Sequence, residues 1–109
     1  MRQYEAVLVL QPDLDDAGVQ AIVTQVGDLL GRLGGEILSI GQLTDKKGHV
    51  SEVADTWSKR RLAYSINGRR EGYYAVLQVS APPEAIDPFE QWLGINENVL
   101  RYLTVRSDE

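Results

Sequence analysis

The sequence predicts an α+β domain in which a four-stranded antiparallel sheet carries two helices on one face. Three observations support this reading. Two segments repeat apolar residues at helical spacing, Asp15 to Leu33 and Asp87 to Leu93, and each is closed by glycine. The runs between and around them are short, rich in Val, Ile, Leu and Tyr, and bounded by Gly, Pro or polar residues. A chain of 109 residues, 43% of them apolar, is long enough for one modest core and has the composition of an ordinary globular domain.

Tyr4 to Leu10 is an apolar run of strand length, broken by Glu5 and stopped at Gln11-Pro12. Its periodicity does not say which side faces the core, as expected of a central strand. Arg2 is in phase with Tyr4, so the two side chains leave the same face. Asp13-Leu14-Asp15-Asp16 then supplies N-cap candidates and negative charge for a helix start. Ile22, Val26, Leu29 and Leu33, with Val19 and Leu30 alongside, form the apolar stripe of that helix, and Gly34-Gly35 ends it. Gly18, Gly27 and Gly31 each weaken its propensity by about 1 kcal/mol relative to Ala, so packing must hold it.

Glu36 to Leu43 is the next strand. Residues 45–56 read as an inserted loop or hairpin extension with no clear period. Trp57 to Ile66 is a strand with Leu62, Tyr64 and Ile66 on one face and Trp57, Lys59 and Arg61 on the other. An Asn67-Gly68 turn signal leads to Tyr73 to Ser80, whose nearly continuous apolar character predicts a central position. Asp87-Pro88-Phe89-Glu90 reads as a capped helix start, with Asp87 as N-cap and Glu90 closing a capping box. A start near Pro83, disturbed at Pro88, is the alternative. Phe89, Trp92 and Leu93 would face the core, with Gly94 ending the helix and Val99 to Val105 forming the last strand. The order strand, helix, strand, strand, helix, strand is the split β-α-β arrangement of ferredoxin-like folds, with the first and third strands central.

Charge is distributed unevenly. The net charge is −5, yet Lys46 to Arg70 carries seven basic residues against Glu52 and Asp55, a local +5, and the remainder carries −10. Bulk polyanion binding is thereby disfavoured, while a local basic face is not, because screening over about 8–10 Å makes the near field decisive. Without cysteine there is no disulfide, thiolate metal site or cysteine nucleophile. No apolar run approaches the roughly 20 residues of a membrane span, and Met1-Arg2-Gln3-Tyr4-Glu5 is unlike a signal peptide. The expectation is a single cytosolic domain, residues 1–109, complete from Met1.

Catalysis has no foothold in the residue pattern. His49 is the only histidine and stands in a polar turn without partners for a metal site or triad. Asp15-Asp16 are adjacent, so on a helix they diverge and serve capping. The Gly-rich pieces match no phosphate-binding spacing, and no Ser-centred motif occurs. No catalytic residue, metal or cofactor is expected. The basic stretch differs: Lys59, Arg60, Arg61, Arg69 and Arg70 stand beside Trp57, Tyr64, Tyr73 and Tyr74, a mixture able to supply phosphate contacts and stacking. An ordinary solvated hairpin is the competing reading, and each tyrosine taken singly is more often a sheet residue than a base platform. Arg2, Arg101 and Arg106 are a candidate second basic group, since antiparallel first and last strands bring Arg2 towards Arg106.

Trp57-Ser58-Lys59-Arg60-Arg61-Leu62-Ala63-Tyr64-Ser65-Ile66, followed by Glu71-Gly72-Tyr73-Tyr74, resembles the hallmark segment of the bacterial small-subunit (30S) ribosomal protein number six family. Arg2-Gln3-Tyr4-Glu5 is similar to that family's opening, and Asn96-Glu97-Asn98-Val99-Leu100-Arg101-Tyr102-Leu103 to its last strand. The resemblance implies a structural role in the small ribosomal subunit. It further implies binding to the central domain of small-subunit ribosomal RNA, jointly with the eighteenth small-subunit ribosomal protein. Carried over residue by residue, Arg2, Tyr4, Arg101 and Arg106 match positions near the RNA. The strand from Trp57 to Tyr64 matches the region used towards the protein partner and adjacent RNA. Lys59, Arg60 and Arg61 are assigned to RNA, and Trp57, Leu62 and Tyr64 to the partner. The chain departs from the family in a longer interval from Gly41 to Thr56, in Ser65 where Pro is common, and in Pro88 within the second helix.

The alternative of another class is a ferredoxin-like small-ligand or regulatory domain, which would need a convergent pocket and offers no ligand fingerprint. An acylphosphatase-like enzyme would need a phosphate cradle where acidic Gln11-Pro12-Asp13 stands. A single-strand RNA reader of the RRM type would need a Lys/Arg-Gly-Phe/Tyr signature where Tyr73 to Val79 stands. An exposed second-strand edge leaves self-association open for the isolated chain.

Overall fold

The computed structural model describes residues 1–43, 50–52, 57–66 and 68–107. The side chains of residues 50–52, 63 and 64 lie outside that description, as do His49, Asn67 and most of the expected 45–56 excursion. In chain order the elements are β1 (Arg2–Leu10), α1 (Asp16–Arg32), β2 (Glu36–Leu43), β3 (Val50–Glu52), β4 (Lys59–Ile66), β5 (Arg69–Ala81), α2 (Ile86–Ile95) and β6 (Val99–Arg106). They form the ferredoxin-like arrangement, one antiparallel sheet with both helices on one face.

The sheet has more than four strand segments, and the register explains why four lanes still describe it. β5 pairs with β1 along one edge, from Leu10↔Tyr73 to Arg2↔Ala81. On its other edge it pairs first with β2, up to Gln42↔Ala75, and then with β4, from Lys59↔Tyr73. At Tyr73 one edge already belongs to β1, so β4 must lie on the same side as β2. β2 and β4 therefore run in the same direction, end to end, as two halves of one lane. Between them in sequence, β3 pairs antiparallel with β2 through Gly41↔Glu52 to Leu43↔Val50. The Ser58 backbone N–H donates to Gln42 Oε1 at 2.9 Å, closing the junction. Of the expected 45–56 excursion, the described part is β3, which pairs antiparallel with β2. β6 completes the sheet beside β1.

Alternation along the two central strands separates the faces. Ala6, Leu8 and Leu10 of β1 and Tyr73, Ala75, Leu77, Val79 and Ala81 of β5 join the core under the helices. Val19, Ile22, Val23, Val26 and Leu30 of α1, with Phe89 and Leu93 of α2, cover them. Leu29, Leu33 and Trp92 pack only at the margin of this core. The opposite face carries Val7, Val9, Tyr74, Val76 and Gln78 and, among the described residues, no helix.

The helix ends follow local chemistry. Asp15 is the N-cap of α1, its Oδ1 accepting from the Gly18 N–H at 2.7 Å. At the other end Gly35 N–H bonds to Leu30 O at 2.7 Å and Gly34 N–H to Gly31 O at 3.2 Å. That is the paired bonding of a Schellman ending, with Gly34 at a φ of 89° as the motif requires. The start of α2 follows the alternative near Pro83 and not the Asp87 cap. A 3-10 turn, Pro83–Ala85, runs straight into the helix, whose N-cap is Ala85 with no side-chain cap bond. Asp87 and Pro88 consequently lie inside the first turn, where a missing N–H is harmless because first-turn N–H groups have no helical partner. The helix also continues through Gly94 to Ile95.

One buried polar atom stands out. Thr104 Oγ1, on β6 opposite Ala6, is buried without a hydrogen-bond partner among the described residues. Leaving a hydroxyl unsatisfied costs about 1–3 kcal/mol, so Thr104→Val, which keeps the shape, stabilises the fold by about 1 kcal/mol. A urea midpoint that stays put or falls would contradict this.

Candidate nucleic-acid interface

β4 and β5 continue past the end of β1 as a two-stranded ribbon. β1 stops at Leu10, opposite Tyr73, whereas β5 begins four residues earlier at Arg69, an overhang of about 13 Å. Ile66 and Arg69 are register partners, and Gly68 takes a φ of 79° in the reversal between them. The ribbon holds Lys59, Arg60, Arg61, Arg69 and Arg70, so the basic stretch becomes one projecting feature. Lys59 is opposite Tyr73 and Arg61 opposite Glu71, which puts both on the helix side of the ribbon, and both are exposed. Arg60, half-buried, is opposite Gly72 and turns to the uncovered face of the sheet. Gly72 has a reason to be glycine: a Cβ there would lie 2.8 Å from Leu10 O.

The aromatic residues divide. Trp57 is 7% exposed and packs in the core, its backbone N–H donating to Asp16 Oδ1 at 2.9 Å. It anchors the chain where the excursion rejoins the sheet. Tyr73 is also in the core, and its hydroxyl donates to Leu14 O at 2.8 Å. Tyr74 lies on the uncovered face. The Tyr64 side chain lies outside the described residues.

Leu62 is buried on the uncovered face, away from the helices. With Val7, Val9, Ile66, Tyr74 and Leu103 it lines an open groove of about 250 Å³, and Arg101 joins the lining. Leu103 and Val105 continue this apolar surface on β6 at 59% and 44% exposure. Glu5 and Gln78 form a polar strip farther along, Gln78 Nε2 donating to Glu5 Oε2 at 2.8 Å.

The second basic group is only partly assembled. Arg106 is the register partner of Tyr4, and Arg2 is two residues before Tyr4 on the same side of the sheet. Ser107 N–H bonds to Gln3 O at 2.9 Å, confirming that the end of β6 runs beside the start of β1. Arg101 is opposite Val9, on the other face and about 17 Å along the strand, so it belongs with the groove. Sequence reasoning missed the apolar partners in that groove, Val7, Val9 and Leu103. The alternation of β6 held a usable signal, since Arg101, Leu103 and Val105 share one face.

Comparison with known proteins gives two findings. The sequence model of a family described as ribosomal protein S6 matches residues 3–106. The crystal structure of 30S ribosomal protein S6 from Thermotoga maritima superposes with a TM-score of 0.77 at 20% identity, covering 97% of this chain and 87% of that one. At that identity the superposition speaks to the fold.

Proposed function

The chain belongs to the ribosomal protein S6 family, and on that premise we propose that it binds the central domain of small-subunit ribosomal RNA jointly with the eighteenth small-subunit protein. Membership itself makes it a structural, non-enzymatic protein of the small ribosomal subunit, working in the cytoplasm as part of the ribosome. The observation that carries the joint-binding reading is the adjacency of two unlike surfaces. A projecting basic ribbon stands next to an uncovered apolar sheet face in a chain whose remaining charge is strongly negative.

Lys59, Arg60 and Arg61 on the ribbon would contact phosphate, with Arg2, Tyr4 and Arg106 offering a second site at the far end of the sheet. Arg101 and Leu62 share the groove face, and an apolar segment of the protein partner seated there would bring RNA contacts and protein contacts together. Trp57 supports that face from the core side by holding the start of β4. Tyr64 keeps its assignment towards the partner. Specificity then comes from RNA shape and the partner, and the arginines add a salt-dependent contribution.

The test is filter binding of a central-domain RNA fragment with this chain alone, with the eighteenth protein alone, and with both, at two salt concentrations. Tight, salt-sensitive binding that requires both proteins is expected. Equal retention with and without the partner would refute joint binding.

A further inference from the structure

We propose that Gln11 is a positioning residue that braces the basic ribbon against the body of the sheet, a role that rests on the ribbon being the RNA-facing element. The ribbon needs a brace. Beyond Tyr73 it has no third strand among the described residues, and an isolated two-stranded ribbon is marginal in water.

The geometry supplies one. Arg69, the first residue of β5, reaches back across the overhang to the segment that follows β1. Its Nη1 donates to Gln11 Oε1 at 3.1 Å and to Asp13 Oδ2 at 2.9 Å. The same Gln11 oxygen accepts the Asp13 N–H at 3.0 Å, which orients the carboxylate-bearing residue towards Arg69. The other end of the amide, Nε2, donates to Asn98 Oδ1 at 3.1 Å, and the Gln11 backbone N–H bonds to Asn98 O at 3.0 Å. Asn98 N–H in turn bonds to Asn96 Oδ1 at 2.9 Å, fixing the turn that leads into β6. One side chain therefore ties three loops distant in sequence: the β1–α1 connection, the ribbon's turn and the α2–β6 turn.

Glutamine suits this place because its amide both accepts and donates. The Arg69–Asp13 ion pair alone is a weak brace, since Arg69 and Asp13 are 40% and 74% exposed and such pairs contribute little. The Gln11 link differs in being half-buried and fixed at both ends. Its consequence is alignment: Arg60 and Arg61 on the ribbon are held in a set relation to Arg101 on β6, so a ligand spanning them meets an ordered surface.

Gln11→Ala and Gln11→Glu in the full chain separate the cases, because glutamate keeps the acceptor for Arg69 and loses the donor to Asn98. Amide hydrogen exchange on the free protein should show residues 69–72 exchanging about tenfold faster in Gln11→Ala, with residues 75–79 unchanged and Gln11→Glu, which keeps only the Arg69 end of the link, intermediate between the two. Joint RNA binding should weaken several-fold in Gln11→Ala while the slope of log affinity against log salt stays that of wild type, since no charge is removed. Unchanged exchange at 69–72, equal acceleration throughout the chain, or a shallower salt slope would each overturn the positioning role. If the wild-type protein fails to bind the RNA with its partner, the interface reading fails, and the exchange arm still decides whether Gln11 braces the ribbon.

Discussion

Arg60→Glu combined with Arg61→Glu lowers joint affinity for the ribosomal RNA fragment by on the order of 100-fold near physiological salt. Two positive charges become two negative ones on a ribbon that holds five of the chain's eleven basic residues. Each lost phosphate contact also removes a released counterion, so the slope of log affinity against log salt becomes shallower by roughly 1.5–2. Folding suffers little. Arg61 is exposed, and its replacement faces Glu71 across the ladder, a like-charge pair worth a few tenths of a kcal/mol. Arg60 is half-buried opposite Gly72, which presents no side chain to a glutamate there. Filter binding at two salt concentrations, with a urea midpoint as control, checks this. Wild-type affinity at both concentrations would remove the ribbon from the interface.

Phe89→Ala should be the most damaging single change to the fold. Phe89 is fully buried and has the largest side chain of the completely enclosed set, seated between α2 and the sheet. Deleting a buried phenylalanine ring costs about 3–5 kcal/mol, from lost transfer energy and the cavity left behind. A domain of this size has about 5–15 kcal/mol in total, so this one change removes a large share of its stability. Chemical denaturation gives the value directly. A loss below about 1 kcal/mol would mean that α2 is not the lid of this core.

The helices were legible because their signals are local. Asp15 caps α1 through a side chain that accepts from an N–H three residues on, and Gly34-Gly35 closes it through bonds within one turn. The start of α2 left two local readings for the same reason: Asp87-Pro88-Phe89-Glu90 has the composition of a capped start, but the alternative near Pro83 is the one the turn Pro83–Ala85 supports. Strand grouping depends on pairing between distant residues. That β2 and β4 share one lane is decided by Gln42↔Ala75 and Lys59↔Tyr73, which no local pattern displays. The face of β1 was likewise undecided, since Val7, Leu8, Val9 and Leu10 are apolar on both sides.

At the interface, residue type was legible and orientation was not. The basic stretch showed its charge in the sequence. That Arg60 and Arg101 turn to the uncovered face, while Arg2, Tyr4 and Arg106 share the other, follows from the ladder register. The aromatic residues near the basic run admitted two readings, stacking surface or sheet residue. Burial gives Trp57 and Tyr73 to the core. Gln11 had no sequence signal at all, because its partners Arg69 and Asn98 are 58 and 87 residues away.

The central claim is that this chain works on the small subunit through a basic ribbon and an adjoining apolar face. The most direct measurement is affinity capture of the tagged full-length chain from lysate, followed by gradient sedimentation and identification of what travels with it. The account predicts that small ribosomal subunits accompany the wild-type chain, with the eighteenth protein and small-subunit RNA present, and that Arg60→Glu with Arg61→Glu reduces this recovery. A wild-type chain sedimenting as a free protein, with neither that RNA nor that partner, would contradict it.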